Sequence, residues 1–564
     1  MIKVKGDLAV RTGLNFARLE GDWYRPEEIF KADSHGWPGD WEGRVILALT
    51  MLEQATHRTS AYLDEIMSML PEHLNEKGYF GIILPDNTFD EQHFSGHSWM
   101  FRALVAYYNY KKKPETLLIL ELMVESFLLP AKGSYALYPI EPVKRFEAQT
   151  PWILSHLQTK TKHHAETSDA GCAFMMIDGA TAAYELLPIP ALRQLIDEII
   201  ERYMEADLLV LNIQTHATLS AIRGILRLYR ITGESCYLKI ALERYELYRS
   251  EAWTECFGNF NWFGAPRWTE PCAIIDSFIV AVTLWKFTRD PSFLNDSHLI
   301  YYNALCHGNR VNGSFGSDRC CGALETDDNL FLAPINYETY WCCTMRGGEG
   351  FAKAAEFCCF IEGNTIFLPF FHSFEASLIL EDGAITFETL SHYPFSNRVE
   401  IFIKDVEFQE PCRFSLFIPD WAGDICFKYN GEEEHVTLEN GFISIEKIFK
   451  PGDVITLDLD MHTRCEETQF DNCVRGYHKF FYGPMLLGRK SAIEINSTDG
   501  DRFENYAESR YKSSDIVNIP VDAKLLSIGD GRFLVEGTEI ILTCLCDVRD
   551  MTREDTMRQM LFRG

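Results

Sequence analysis

Residues 228–238, LYRITGESCYL, align without a gap on residues 284–294, LWKFTRDPSFL, 56 residues downstream. Before the first copy, Leu219, Ile222, Ile225, Leu226 and Tyr229 fall on one stripe at spacings of three and four, which is an amphipathic helix. The stripe breaks at Thr232-Gly233 and resumes at Tyr237-Leu238. Each copy therefore reads as helix, short turn, helix. A weaker echo, YNYKKKPETL at residues 108–117, lies about twice that spacing upstream. One hairpin cannot bury its apolar face alone, so repeated hairpins stack into an open solenoid or close into a toroid. Two good copies and one poor copy leave that choice open.

Helical patterning extends from about residue 40 to about 360, and beyond about 362 the period changes to two. Residues 365–370, 398–403, 413–418 and 454–459 are short and β-rich, and Asp382-Gly383, Asn430-Gly431, Asn440-Gly441 and Pro451-Gly452-Asp453 separate such segments as turns. That is the pattern of an antiparallel β-sandwich. The expected division is a helical domain at 1–362, a β-sandwich at 363–475 and a β-rich module at 476–564 that contains a polar loop, 496–509.

The chain has 564 residues, enough for three or four domains. Its 46% hydrophobic and 24% charged residues exclude a disordered or collagen-like chain. A net charge of -29 repels phosphate backbones and anionic lipid, so neither nucleic acid nor a membrane is an expected partner. The start, MIKVKGDLAVRTGLNF, lacks the apolar core of a signal peptide, and no run of about 18 uncharged apolar residues offers a span. The expected location is the cytoplasm, where the seventeen cysteines stay reduced. Most of them read as small buried hydrophobes. No phosphate loop or dinucleotide fingerprint points to ATP or NAD.

Three cysteine pairs are adjacent in sequence: Cys320-Cys321, Cys342-Cys343 and Cys358-Cys359. Of these, Cys342-Cys343 precedes Thr344-Met345-Arg346-Gly347-Gly348, and Glu270-Pro271-Cys272 opens a strong helix upstream. Three thiolates and a carboxylate can complete a tetrahedral zinc site. Two adjacent cysteines share one ion only on irregular backbone, which Gly347-Gly348 is expected to permit nearby. Glu255 stands fifteen residues before Glu270. His97 and His216 begin amphipathic helices and are candidates for contact with sugar hydroxyls; capping or core packing explains them equally well. In GWPGDW at 36–41, Asp40 reads as a helix N-cap, with Trp37 and Asp40 also candidates for stacking on and hydrogen bonding to a sugar. His163-His164 reads as an exposed loop.

The strings TEPCAIIDSFIVAVTLWKF, YETYWCCTMRGG, YPFSNRVEIFI, FSLFIPDWAG and FKPGDVITLDLDM follow one another in the order seen in glycoside hydrolase family 127, the β-L-arabinofuranosidase group, which this sequence resembles over roughly residues 215 to 485. The resemblance implies an (α/α)6 toroid catalytic domain followed by antiparallel β-sandwich domains. It implies Zn2+ held by Glu270, Cys272, Cys342 and Cys343, with Cys342 the nucleophile and Glu255 the general acid/base. Where the family often has Pro-Pro-Asn after the cysteine pair, this chain has Thr-Met-Arg. The implied activity is that of a retaining exo-glycosidase on a terminal β-L-arabinofuranoside or a related rare plant sugar, with an oligosaccharide or glycoside as ligand. The alternatives are the same fold acting on another sugar, a catalytically silent carbohydrate-binding protein with structural zinc, or an epimerase or lyase built on the toroid.

Overall fold

The computed structural model describes residues 1–31, 36–146, 151–154, 170–324, 330–407, 410–491, 516–547, 549, 552 and 557–564. His163-His164 and the polar loop 496–509 lie outside them. Among the described residues, twelve α-helices of seven residues or more, numbered here in chain order, build the first half: α1 Gly6–Leu19, α2 Asp40–Thr56, α3 Leu63–Met69, α4 Glu91–Lys111, α5 Pro114–Met123, α6 Met176–Leu186, α7 Pro190–Glu205, α8 Thr215–Thr232, α9 Ser235–Glu251, α10 Pro271–Thr288, α11 Ser292–Leu299 and α12 Cys343–Glu356. The even-numbered helices pack side by side in the order α2, α4, α6, α8, α10, α12, and α12 packs back onto α2. The ring is therefore closed. The odd-numbered helices lie outside it, each on its chain neighbour, and α1 covers the seam between α12 and α2. This is the (α/α)6 toroid rather than an open solenoid.

The repeat that opens the sequence is the repeat of this ring. Helices α8 and α10 have the same length and are offset by the same 56 residues. Four inner helices, α2, α4, α8 and α10, end at a left-handed residue: His57, Lys112, Gly233 and Arg289, with φ of 55°, 55°, 71° and 62°. That conformation closes a helix and turns the chain back. Close packing of the inner ring needs glycine at the crossings. A Cβ on Gly43 would lie 2.5 Å from the Met100 backbone, and one on Gly224 would lie 2.6 Å from the Asp178 backbone.

An inner helix has neighbours on every side, so α10 is apolar nearly all round. Its 18 residues have a mean hydropathy of 1.4, enough by length and composition for a membrane span, but 78% of it is buried in the protein. It also carries Asp276, fully buried. Helix α1 precedes the region that the sequence pattern marks as helical; it supplies the outer helix over the seam between α12 and α2.

The β half contains two facing sheets. The first runs Ile2–Val4, Phe374–Ile379, Ala384–Ser391, Arg398–Val406, Val454–Leu459, Ile425–Tyr429 and Glu432–Glu433. The second runs Phe442–Lys447, Cys412–Phe417, Thr365–Leu368 and Phe360–Glu362. Phe387 of the first meets Phe414 of the second edge-on at 5.1 Å in the shared core. All pairs are antiparallel except Cys412–Phe417 with Thr365–Leu368, which run parallel. The turns expected at Asn430-Gly431 and Asn440-Gly441 place all four residues at positive φ, the two-residue hairpin geometry. A last sheet joins Thr463–Glu467, His478–Tyr482, Met485–Lys490, Ile541–Cys544, Arg532–Val535 and Leu525–Gly529, with Arg558–Gln559 and Phe331–Leu332 at its side.

Chain order and sheet membership part company at three places. Ile2–Val4 pairs with Phe374–Ile379, so the first residues and Phe360–Glu362 belong to the sandwich instead of the helical stretch 1–362. Thr463–Glu467 pairs with His478–Tyr482, which starts the last sheet before residue 476. Phe331–Leu332, from the helical half, pairs with Arg558–Gln559 of that sheet.

Candidate active site

Inner helices present their first residues at one place. Glu270 is the N-cap of α10 and Cys272 its second residue; Cys342 is the N-cap of α12 and Cys343 its first residue. His216 is the second residue of α8 and Asp40 the first of α2. Unpaired N–H groups and the helix dipole make such ends favourable for thiolates and carboxylates. The irregular backbone that adjacent cysteines need sits at Cys342 itself, at φ -147° and ψ -78°. Gly347 and Gly348, expected to supply it, are helical, and they serve packing: a Cβ on Gly347 would lie 2.1 Å from the Phe315 ring.

Cys272 Sγ lies 3.1 Å from Cys342 Sγ and 3.5 Å from Cys343 Sγ, and all three are free cysteines. Ligand atoms of these three lie within 4.8 Å of one another, and so do those of His216, Glu270 and Cys272. Thiolates around a tetrahedral zinc, with bonds of about 2.3 Å, stand about 3.8 Å apart, so the cluster is close to the spacing the ion needs. Cys272 and Cys343 are buried, while Cys342 is half-buried. Hydrogen bonding from Cys272 and Cys343 holds the Cys342 thiol well below the ordinary cysteine range, against burial and with help from Arg44 and His216. Burial pushes Cys272 and Cys343 up.

Positive charge surrounds this cluster. Arg44 Nη1 donates to Cys272 Sγ at 3.5 Å, and Arg44 Nε donates to Asp40 Oδ1 at 2.7 Å. The guanidinium also lies 3.9 Å from the centre of the Trp99 ring, which Arg102 and Arg346 approach at 4.4 and 4.5 Å. His216 Nδ1 is 3.2 Å from Glu270 Oε1, and its Nε2 is 3.4 Å from Asp276 Oδ2. Asp276 is held by Ser220 Oγ at 2.8 Å and by Arg223 and Arg346. Burial opposes a charge on His216, but Glu270 and Asp276 outweigh it and raise its pKa. Arg44 and Asp276 escape a reading of motifs. Their available signals are Arg44 four residues after Asp40, and one acidic residue inside the apolar run AIIDSFIVAVTLW.

Several expected site residues have other work. Glu255, expected as the acid/base, is fully buried: Lys479 Nζ donates to Oε2 at 2.6 Å, and the Gln469 and Phe470 N–H groups donate to Oε1 at 2.9 and 3.0 Å. Both oxygens are committed to the last β-sheet and its approach, so the structure places Glu255 as a buried link between ring and sheet. His97, expected at a sugar, is a core residue. Its Nε2 accepts from the Phe80 N–H at 3.1 Å, its Nδ1 lies 2.8 Å from the His93 carbonyl, and its ring stacks on Phe127 at 3.9 Å. Burial lowers its pKa to about 3, which keeps it neutral. Asp40 is not an N-cap: Gly39 occupies that position and the Asp40 carboxylate turns to Arg44. Burial raises the Asp40 pKa although Arg44 pulls it down. Trp37 is half-buried in the turn before α2, where its carbonyl accepts from the Asp40 N–H at 3.1 Å. An open cleft of about 800 Å³ lies elsewhere, among α9, α11 and the β-sheets, lined by Arg249, Asp296, Trp421 and Arg464; the thiols do not line it.

The site is thus a thiol-carboxylate cluster at the inner helix ends of a closed helical toroid that is followed by β-domains. Residues 365–461 match the family model described as beta-L-arabinofuranosidase, GH127 middle domain. That segment is thus similar to the middle domain of family 127, and the chain as a whole has the fold of solved structures described as GH127. A GH127 beta-arabinofuranosidase is similar at 15% identity with a TM-score of 0.66, covering 100% of this chain and 96% of that chain. A GH127 beta-L-arabinofuranosidase from Geobacillus stearothermophilus T6 is similar at 11% identity with a TM-score of 0.66, covering 100% of both chains. A further structure described only as a glycoside hydrolase is similar at 12% identity with a TM-score of 0.67, covering 100% of this chain and 96% of that chain. No curated protein matches the sequence.

Proposed function

We propose that this protein is a retaining exo-glycosidase that removes a terminal β-L-arabinofuranosyl residue, or a related rare plant sugar, from an oligosaccharide. The observation that carries the reading is the half-buried Cys342 thiol 3.1 Å from Cys272, with Cys343 in the same cluster and Glu270 grouped with Cys272 and His216. The three thiols fit zinc in atom type and spacing, and Glu270, beside Cys272, is the fourth donor in this reading. Bound zinc supplies a thiolate at neutral pH and eases departure of sulfur from carbon. Arg44 and His216 offset the negative charge gathered there. Cys342 attacks the anomeric carbon, and the leaving oxygen takes a proton. Water then replaces sulfur, and the sugar leaves with its configuration retained.

With Glu255 committed elsewhere, the proton-transfer group in this reading is Asp40, buried at the start of α2 beside Arg44, its pKa raised by burial. Seventeen cysteines suit a reducing cytoplasm. The test is a panel of nitrophenyl glycosides with zinc-loaded protein, product configuration read by NMR. Cys342→Ser is expected to abolish turnover. Asp40→Asn is expected to lower it by about 10²–10⁴ with ordinary alcohol leaving groups and by much less with nitrophenolate. An inverted product sinks the thiolate mechanism. Zinc binding with sugar binding but no turnover on any glycoside leaves a carbohydrate-binding protein with structural zinc.

A further inference from the structure

The site holds one histidine that a glycosidase reaction does not require. His216 is 1% exposed, too enclosed to meet a sugar, and it stands between two carboxylates. Its Nδ1 is 3.2 Å from Glu270 Oε1 and its Nε2 is 3.4 Å from Asp276 Oδ2. Nδ1 is placed to donate to the Glu270 carboxylate, and Asp276 occupies the side of the ring that Nε2 faces. Asp276 cannot yield its place, because Ser220, Arg223 and Arg346 all hold it. The ring is further fixed by Trp99, whose centre lies 5.6 Å away. On the far side, Glu270 Oε2 receives Gln214 Nε2 at 3.4 Å. It also receives the Asn261 amide nitrogen at 2.6 Å once that amide is oriented so that its oxygen accepts from Trp268 Nε1.

We infer that His216, braced by Asp276, is a positioning residue: it orients the Glu270 carboxylate so that one oxygen lone pair is presented to zinc beside the three thiols. The inference rests on the zinc reading above. A free carboxylate at a helix N-cap would rotate and would compete for the helix N–H groups. Donation to Oε1 from one side and to Oε2 from the other removes that freedom. Groups that hold a metal ligand in this way are commonly worth 10–100-fold in metal affinity.

The experiment compares wild type, His216→Ala, His216→Gln and Asp276→Asn, each checked for an intact fold by circular dichroism. Zinc affinity is measured by competition with a chromophoric chelator, and ligand geometry by the visible spectrum of the Co2+-substituted protein. His216→Ala is expected to bind zinc 10–100-fold more weakly and to shift the cobalt bands. His216→Gln, whose amide can still donate to Glu270, is expected to recover most of both. Asp276→Asn is expected to fall between them. Wild-type affinity and an unchanged cobalt spectrum in His216→Ala overturn the inference while leaving the zinc site standing. A Gln variant as poor as the Ala variant overturns it too, since donation to Glu270 would not then be what the ring provides. Wild type that binds no zinc overturns the zinc reading itself, and this inference with it.

Discussion

Lys479 is fully buried, and Glu255 is the carboxylate that meets its charge. Removing one partner of such a pair leaves the other charged in a medium that cannot solvate it, at a cost of about 3–5 kcal/mol. Glu255→Gln is therefore expected to lower unfolding free energy by about that amount, measured by denaturant titration, with turnover per folded molecule little changed. A folded, stable Glu255→Gln protein with turnover down by about 10²–10⁴ would restore Glu255 as the acid/base. The same residue shows where a sequence reading stops. Glu255 stands in the right local string, but its partner lies 224 residues away, and no local pattern records that contact. Glu270, Cys272, Cys342 and Cys343 are different. Their residue types are rare in combination and their positions at helix starts are legible, so the structure gathers residues the sequence already marks. His97 and His216 look alike in sequence, each near a helix start. Only the packing around them makes one a core ring on Phe127 and the other a neighbour of Glu270.

At the scale of elements, the helical hairpin was legible because its stripe and its turn recur at a fixed spacing. Ile2–Val4 was not: three residues at the chain start have no period, and their pairing partner lies beyond residue 370. Closure of the ring depends on α12 reaching α2, and that approach is set by small residues. At Gly348 a Cβ would lie 2.9 Å from Leu52 Cδ1 and 3.0 Å from the Ala48 Cβ of α2, and at Gly347 it would lie 2.1 Å from the Phe315 ring. Gly347→Ala is thus expected to push α12 or Phe315 aside and to destabilise by about 1–3 kcal/mol. Cys342 and Cys343 sit at the start of the same helix, so zinc affinity should fall with it. Thermal unfolding and chelator competition on that variant check both. A variant with unchanged melting and zinc binding would mean that Phe315 moves freely and that α12 does not set the thiol geometry.

Over the whole molecule, burial of ionisable groups fixes the direction in which stability follows pH. His97, His298 and His372 are fully buried, and burial lowers each to about 3. Their folded values lie below the unfolded value near 6.5, so the unfolded chain takes up protons that the folded one refuses. Stability is accordingly lost as pH falls below about 6.5, by about 1 kcal/mol for each histidine between pH 6.5 and 5.5. Asp296 acts the other way. Burial raises it to about 7 despite Arg249, so the folded state binds the proton more tightly and regains about 1 kcal/mol over the same interval. Three histidines against one carboxyl leave a net loss of about 2 kcal/mol on acidification. Denaturant midpoints at pH 7.5, 6.5 and 5.5, with zinc kept saturating, should fall in that order below 6.5. His372→Asn should flatten the dependence by about one half, because it removes about 1 of the net 2 kcal/mol lost on acidification. Midpoints that rise toward pH 5.5 would show that the buried histidines do take up protons in the folded ring and sandwich.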